Sequence, residues 1–179
     1  SVIINEIAWM GTLAYESDEW IELYNPGSSP ICLTNWKLES ADGDPSISLY
    51  GTIQPGQHLV LERGDDNVIS DFNFLSGDPV IVYNSGPLSE TGEMLRLLSP
   101  NRTIIDTANG NGGSWPAGLA SPNGSMERMS TAADSDSVWV TNVNSASWLH
   151  YDARGTSSSN YRVRGTPGGV NWGHGVSYT

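Results

Sequence analysis

Four carboxylates stand close together early in the chain: Glu6 in one strand-like run, then Asp18, Glu19 and Glu22 at the start and inside of the next. If the two runs pair antiparallel, these acids gather beside Asn5 or Asn25, and oxygen-rich clusters of this kind suit hard cations. Calcium takes about six to eight oxygen ligands, so Glu6, Asp18, Glu22 and a backbone carbonyl would supply part of a calcium site. Calcium is the one cofactor the residues suggest. The competing reading is structural, with Glu6 and Glu22 pairing with Arg or accepting backbone hydrogen bonds at a sandwich edge.

Other chemistry-bearing residues do not assemble into a reaction centre. His58, His150 and His174 lack the short spacing of a zinc pair. No Gly-x-Ser-x-Gly turn exposes a serine, and Cys32, between Ile31 and Leu33, reads as a small apolar core group. No catalytic residue is assigned, and the chain reads as non-enzymatic. Asp42-Gly43-Asp44, Asp65-Asp66-Asn67 and Asp134-Ser135-Asp136 carry the acids of turns without the remaining ligands of a calcium loop. Trp9, Trp20 and Trp36 read as core aromatics, with Trp9, Trp20 and Tyr24 the best alternative stacking platform for a sugar or peptide. Trp148, Tyr151, Tyr161, Trp172 and Tyr178 sit among turn formers and are the candidates for touching a partner.

Twenty acidic residues against eight basic ones give a net charge of -12. Phosphate backbones would be repelled, so nucleic acid is not an expected partner; a local patch of Arg154, Arg162 and Arg164 would have to act against the overall field. No run approaches the roughly 18 apolar residues of a membrane span.

The elements that must position these residues are strands. Runs rich in Val, Ile, Leu, Trp and Tyr recur between turn formers, the pattern of a sandwich or barrel. At least eight strands are predicted: Val2–Ala8, Glu19–Tyr24, Ile31–Glu39, Ile47–Tyr50, His58–Arg63, Val80–Tyr83, Met94–Leu98 and Thr103–Thr107. In the second, alternation puts Ile21 and Leu23 on a core face, and Trp20, Glu22 and Tyr24 on a face that another segment should cover. In the first neither face is purely apolar, since Asn5 shares one with Ile3 and Ile7 and Glu6 the other with Val2 and Ile4. A polar group there needs an internal partner. The phase shift from Ile31 and Leu33 to Trp36 and Leu38 predicts a bulge near Thr34 and Asn35. Beyond about residue 108 the sequence is loop-rich yet holds Trp115, Trp139, Trp148 and Trp172, so it is expected to wrap the sandwich.

An ordered set of segments resembles the lamin tail domain in its prokaryotic extracellular form. These are Ile4-Asn5-Glu6-Ile7-Ala8-Trp9-Met10-Gly11, Asp18-Glu19-Trp20-Ile21-Glu22-Leu23-Tyr24-Asn25, Leu33-Thr34-Asn35-Trp36-Lys37-Leu38, Gly92-Glu93-Met94-Leu95-Arg96-Leu97, Ser125-Met126-Glu127-Arg128, and Gly165-Thr166-Pro167-Gly168 with Asn171. The resemblance implies an all-β, immunoglobulin-like sandwich over 1–179, with core strands in 1–108 and a loop-rich C-terminal extension, including later strands, packed on it from 109–179. It also implies an interaction or adhesion module, extracellular or at the cell surface, whose partner is a protein or glycan there. Two alternatives stand beside this: a subunit self-assembling into a homo-oligomer, surface array or filament, and the accessory domain of a secreted hydrolase.

Overall fold

The computed structural model describes residues 1–70, 79–143 and 163–171. Among these residues the first half contributes β1 (Ile3–Ala8), β2 (Trp20–Tyr24), β3 (Ile31–Cys32), β4 (Lys37–Ser40), β5 (Ser46–Ser48), β6 (Thr52–Ile53) and β7 (His58–Arg63). The remainder adds β8 (Val80–Tyr83), β9 (Leu95–Leu98), β10 (Ile104–Ala108), β11 (Met126–Arg128) and β12 (Trp139–Thr141). One sheet runs β12-β11-β1-β2-β7-β8, a second runs β10-β9-β4-β5, and β3 pairs with β6 apart from both. All pairings are antiparallel except β7 with β8.

The mixed faces of the first strand are resolved by an irregularity at Asn5. Ile4 pairs with Leu23 and Glu6 with Glu22, so the register slips by one residue between them. An extra residue in one strand reverses the facing of everything beyond it. Ile4 and Ile7 therefore share the core face, while Ile3, Glu6 and Ala8 share the other. The bulge expected at Thr34 and Asn35 is instead a strand break. Trp36 N–H donates to Leu33 O at 2.9 Å and Asn35 takes φ 65, a turn that carries the chain from β3 into the second sheet. Leu33 and Leu38 are both buried, so the phase shift in the sequence was real, but its cause is a change of sheet.

Ile4, Ile7, Ile21, Leu23, Leu59 and Leu61 from the first sheet join Leu38, Ile47, Leu95 and Leu97 from the second in one buried cluster. Each such side chain contributes about 1.5–3 kcal/mol by leaving water. Cys32 does not join it. β3 and β6 stand outside the main sheets, and the thiol is exposed, 3.2 Å from the Thr34 hydroxyl. The loop-rich half supplies structure too: β11 and β12 extend the first sheet past β1, although two strands of three residues carry too little periodicity to be seen in sequence.

A buried ion pair staples the sheets. Arg128 on β11, 1% exposed, donates to both carboxylate oxygens of Asp106 on β10 at 2.5 and 3.2 Å. It also donates to Ile4 O and Ala132 O, and its guanidinium lies over the Trp139 ring. Asp106 in turn accepts from Ile4 N–H at 2.8 Å. Removing one member of such a pair strands the other charge. Asp106→Ala should cost about 3–5 kcal/mol in urea denaturation, and the double variant Asp106→Leu/Arg128→Met should recover part of that loss.

Candidate functional site

The pairing that flanks β1 on both sides sets the site. Glu6 is the register partner of Glu127 on β11 and of Glu22 on β2. Three glutamates thus stand side by side across adjacent strands near the middle of the sheet, and all three are 0% exposed. Like charges directly opposite one another in a sheet are unfavourable, and burial adds to the cost. Burial pushes the Glu6 carboxyl well above the usual carboxylate range, with Glu127 and Glu22 adding to the rise.

The segment 163–171 lies over this row and supplies donors. Thr166 N–H donates to Glu6 Oε1 at 2.9 Å, Gly168 N–H to Glu22 Oε2 at 2.5 Å, and Ser125 Oγ–H to Glu6 Oε1 at 2.6 Å. Asn5 Nδ2 donates to Glu22 Oε1 at 2.6 Å and Asn142 Nδ2 to Glu127 Oε1 at 2.5 Å. Asn171 spends both amide protons on backbone carbonyls, Asn5 O and Arg128 O, each at 2.9 Å, and presents its Oδ1 to the cluster. Thr166 Oγ then lies 3.0 Å from Glu6 Oε2, 3.0 Å from Glu127 Oε1 and 3.1 Å from Asn171 Oδ1. A hydroxyl has one proton and two lone pairs, so it can satisfy one of three acceptors unless a carboxyl is protonated and donates back to it. The geometry and the raised Glu6 carboxyl point the same way: both favour a protonated carboxyl in the row.

This arrangement places the sequence candidates as follows. Glu6 and Glu22 are brought together. Asp18 is not with them: it precedes β2 by two residues and lines a separate cleft with Ser17, Arg63 and Asn84. Glu19, buried beside Leu88 N–H, is pushed up to about 7, chiefly by burial. Among the described residues no group of three or more His, Cys, Asp or Glu is disposed to hold a metal ion. Glu6 and Glu22 accept backbone hydrogen bonds from Thr166 and Gly168 on the sheet's outer face and not at its edge. The acidic turns are turns: Asp42 Oδ1 accepts from Asp44 N–H and Asp65 Oδ1 from Asn67 N–H.

The covered face predicted for Trp20, Glu22 and Tyr24 is present. Trp20 is 0% exposed, and a Cβ on Gly165 would sit 2.6 Å from Glu6 Oε1 and 2.7 Å from the Trp20 ring. Beyond it, Tyr24 stacks on His58 with centroids 4.6 Å apart, beside an open cleft of about 500 Å³ that Asn5, Gly168 and Asn171 also line. Burial pulls the His58 imidazole down to about 4, so at neutral pH its 3.9 Å approach to Glu22 is neither an ion pair nor a hydrogen bond. Trp9 stacks on Trp115 and donates its indole N–H to Ala117 O. Trp148, Tyr151, Tyr161, Trp172 and Tyr178 lie outside the described residues, as do His150, His174, Arg154 and Arg162.

Sequence reasoning missed Glu127, Thr166 and Asn171 as members of the site. Their motifs were visible, but nothing local links Thr166 to a carboxylate 160 residues away.

Two variants test this geometry. Gly165→Ala should lift the segment from the sheet, lowering the melting temperature and opening 163–171 to limited proteolysis. For Glu6, the folded carboxyl binds its proton more tightly than the unfolded one, so its contribution is fully present below about pH 4.5 and is lost as pH rises through the folded value. Glu6→Gln, which mimics the protonated form, should therefore gain melting temperature relative to wild type between pH 5 and pH 8; an unchanged difference would remove the proton from the site.

A family model described as Lamin Tail Domain matches residues 1–112, which carry β1 to β10. A search of curated proteins found no match. β11, β12 and the covering segment lie beyond the matched residues, yet two of them pair into the same sheet. With the match spanning more than half of its length, the chain belongs to the lamin tail domain family, and its packed sheets are the immunoglobulin-like sandwich of that family.

Proposed function

We propose that this protein is a non-catalytic interaction module that binds a protein partner outside the cell or at its surface. Lamin tail domains are immunoglobulin-like modules that generally mediate protein interaction. One observation carries the reading: the carboxylates best placed for chemistry are closed to solvent and their oxygens accept donors from the chain itself. General acid–base work needs such groups within reach of a substrate. They hold the sandwich and its covering segment together, and the surface is left for recognition. The extracellular setting rests on the resemblance of the segments to the prokaryotic extracellular form. Among the described residues no helix is long and apolar enough to cross a membrane.

Self-assembly into an array or filament is the second reading, favoured by β8 and β12, which end the first sheet without a further partner strand among the described residues. Size-exclusion light scattering across a concentration series, with and without calcium, separates the two. A monomer throughout supports the module, and a mass that climbs with concentration supports assembly. Millimolar calcium should leave both mass and melting temperature unchanged, because the Glu6 and Glu22 oxygens are already occupied. Biotinylated protein should bind intact cells of its source saturably and lose that binding after surface proteolysis; survival through proteolysis with loss after glycosidase treatment would replace the protein partner with a glycan.

A further inference from the structure

β10 ends the second sheet, and among the described residues no strand pairs with its outer side. In an antiparallel pair alternate residues of an edge strand direct their N–H and C=O groups outward. A groove of about 630 Å³ lies along that edge. Ile104, Ile105, Asp106 and Thr107 form one wall, and Thr131 to Asp134 form the other. Arg128 links the two walls, donating to Ala132 O of the loop at 2.7 Å and to Asp106 of the strand. A second groove, of about 620 Å³, continues past Thr107 and Asp134, which line both, to Asn111 and Asp136. β10 contributes five residues, about 17 Å of extended strand, and the hydrogen bonds of Thr107 and Gly110 to Asp134 and of Asn111 to Asp136 join strand side and loop at the far end, so the slot is open along Ile104 to Thr107 and takes about four or five residues of extended chain.

The two ends of this slot differ in chemistry. Near Ile104, which is 52% exposed, and Ile105 the lining is apolar and completed by Ile3, Ala132 and Ala133. At the far end stand Asp134 and Asp136. Asp134 accepts from Thr107 Oγ–H, Gly110 N–H and the Trp139 indole, and Asp136 from the Asn111 amide. All of these donors are neutral, and among the described residues no ion pair to either carboxylate is formed. The basic residue that lines the groove, Arg128, is committed to Asp106 and two carbonyls.

We propose that this groove takes an extended, lysine- or arginine-bearing peptide segment of a protein partner, which adds a strand to β10 with apolar side chains toward Ile104 and Ala133 and its cation toward Asp134 and Asp136. Strand addition of this kind draws affinity from main-chain hydrogen bonds and specificity from alternate side chains. A second copy of this chain is the poorer occupant, because both copies carry the same net charge of -12. The proposal rests on reading the protein as an interaction module and names the surface and partner chemistry for it.

The test uses the whole chain and two labelled peptides of six residues, one alternating Val with Lys and one alternating Val with Glu. The Val–Lys peptide should bind saturably in fluorescence anisotropy, about tenfold or more tighter than Val–Glu, and should slow amide exchange at Ile105, Asp106 and Thr107. Ala133→Trp fills the groove without altering charge and should weaken binding about tenfold; the exposed Asp136→Lys should weaken it several-fold. Unchanged affinity in Ala133→Trp would mean attraction to the acidic surface at large and would overturn the groove, as would unchanged exchange along β10. Light scattering that shows a wild-type dimer dispersed by Ala133→Trp would assign the groove to a second copy and overturn the peptide. Cell binding separates this failure from that of the broader reading. If the peptide fails while both proteins still bind cells through a protease-sensitive partner, the groove is wrong and the module stands; if neither binds cells, the module reading itself falls.

Discussion

Glu127, Glu6 and Glu22 occupy adjacent register positions with no exposure to solvent, and most of the structure around them answers that arrangement. Buried carboxyls demand donors. β1 and β2 have few polar side chains to offer, and their backbone groups are engaged in the sheet. Apart from Asn5 at the register shift, the donors therefore come from elsewhere in the chain: Ser125 and Asn142 beside β11 and β12, and Thr166 and Gly168 from the covering segment, which Asn171 ties to the Asn5 and Arg128 carbonyls. This requirement makes the end of the described chain part of the fold. The outer face of the sheet would otherwise hold three acids and Trp20 against water.

The register shift at Asn5 is what makes the row and the core compatible. Without it Glu6 and Ile4 would point the same way, and either the core would receive a carboxylate or the surface would receive an isoleucine. With it, Ile4 and Ile7 both reach the core and Glu6 turns to meet Glu22. Asn5 itself is drawn into the network, its side chain donating to Glu22 and Asn171 and its carbonyl accepting from Asn171. One residue thus resolves the strand's mixed patterning and anchors the segment that covers it.

A second constraint acts between the sheets. The Arg128–Asp106 pair ties β11 to β10, and through Ile4 it ties both to β1. The same guanidinium positions Ala132 and hence the loop that faces the β10 edge. Interior and surface are coupled at this point: a contact that fixes sheet packing also shapes the open groove beside it. The carboxylate row has no such opening, since all three glutamates are closed to solvent.

Much of this was legible in the residues. Period-two alternation identified Ile21 and Leu23 as core and foretold a cover over Trp20, Glu22 and Tyr24, because strand facing depends on neighbours along the chain. His58–Arg63 and Val80–Tyr83 were read to the residue for the same reason. Local pattern could not tell the bulge at Asn5 from the turn at Thr34 and Asn35, since both appear in sequence as a phase shift and differ in which strand pairs across. Nor could it place Cys32 outside the core, or separate Asp18 from Glu6 and Glu22. Glu127 joined the site through its register with Glu6, and Thr166 through its hydrogen bond to the same residue, each across more than a hundred residues, and no local signal encodes those. The sequence by itself determined the all-β class, most of the longer strands, the core face of β2 and the family; the tertiary structure decided where Ile31–Glu39 breaks, which short strands join the sheets, which acids meet and what seals them, because register and long-range contact arise only when distant segments compete for the same buried donors.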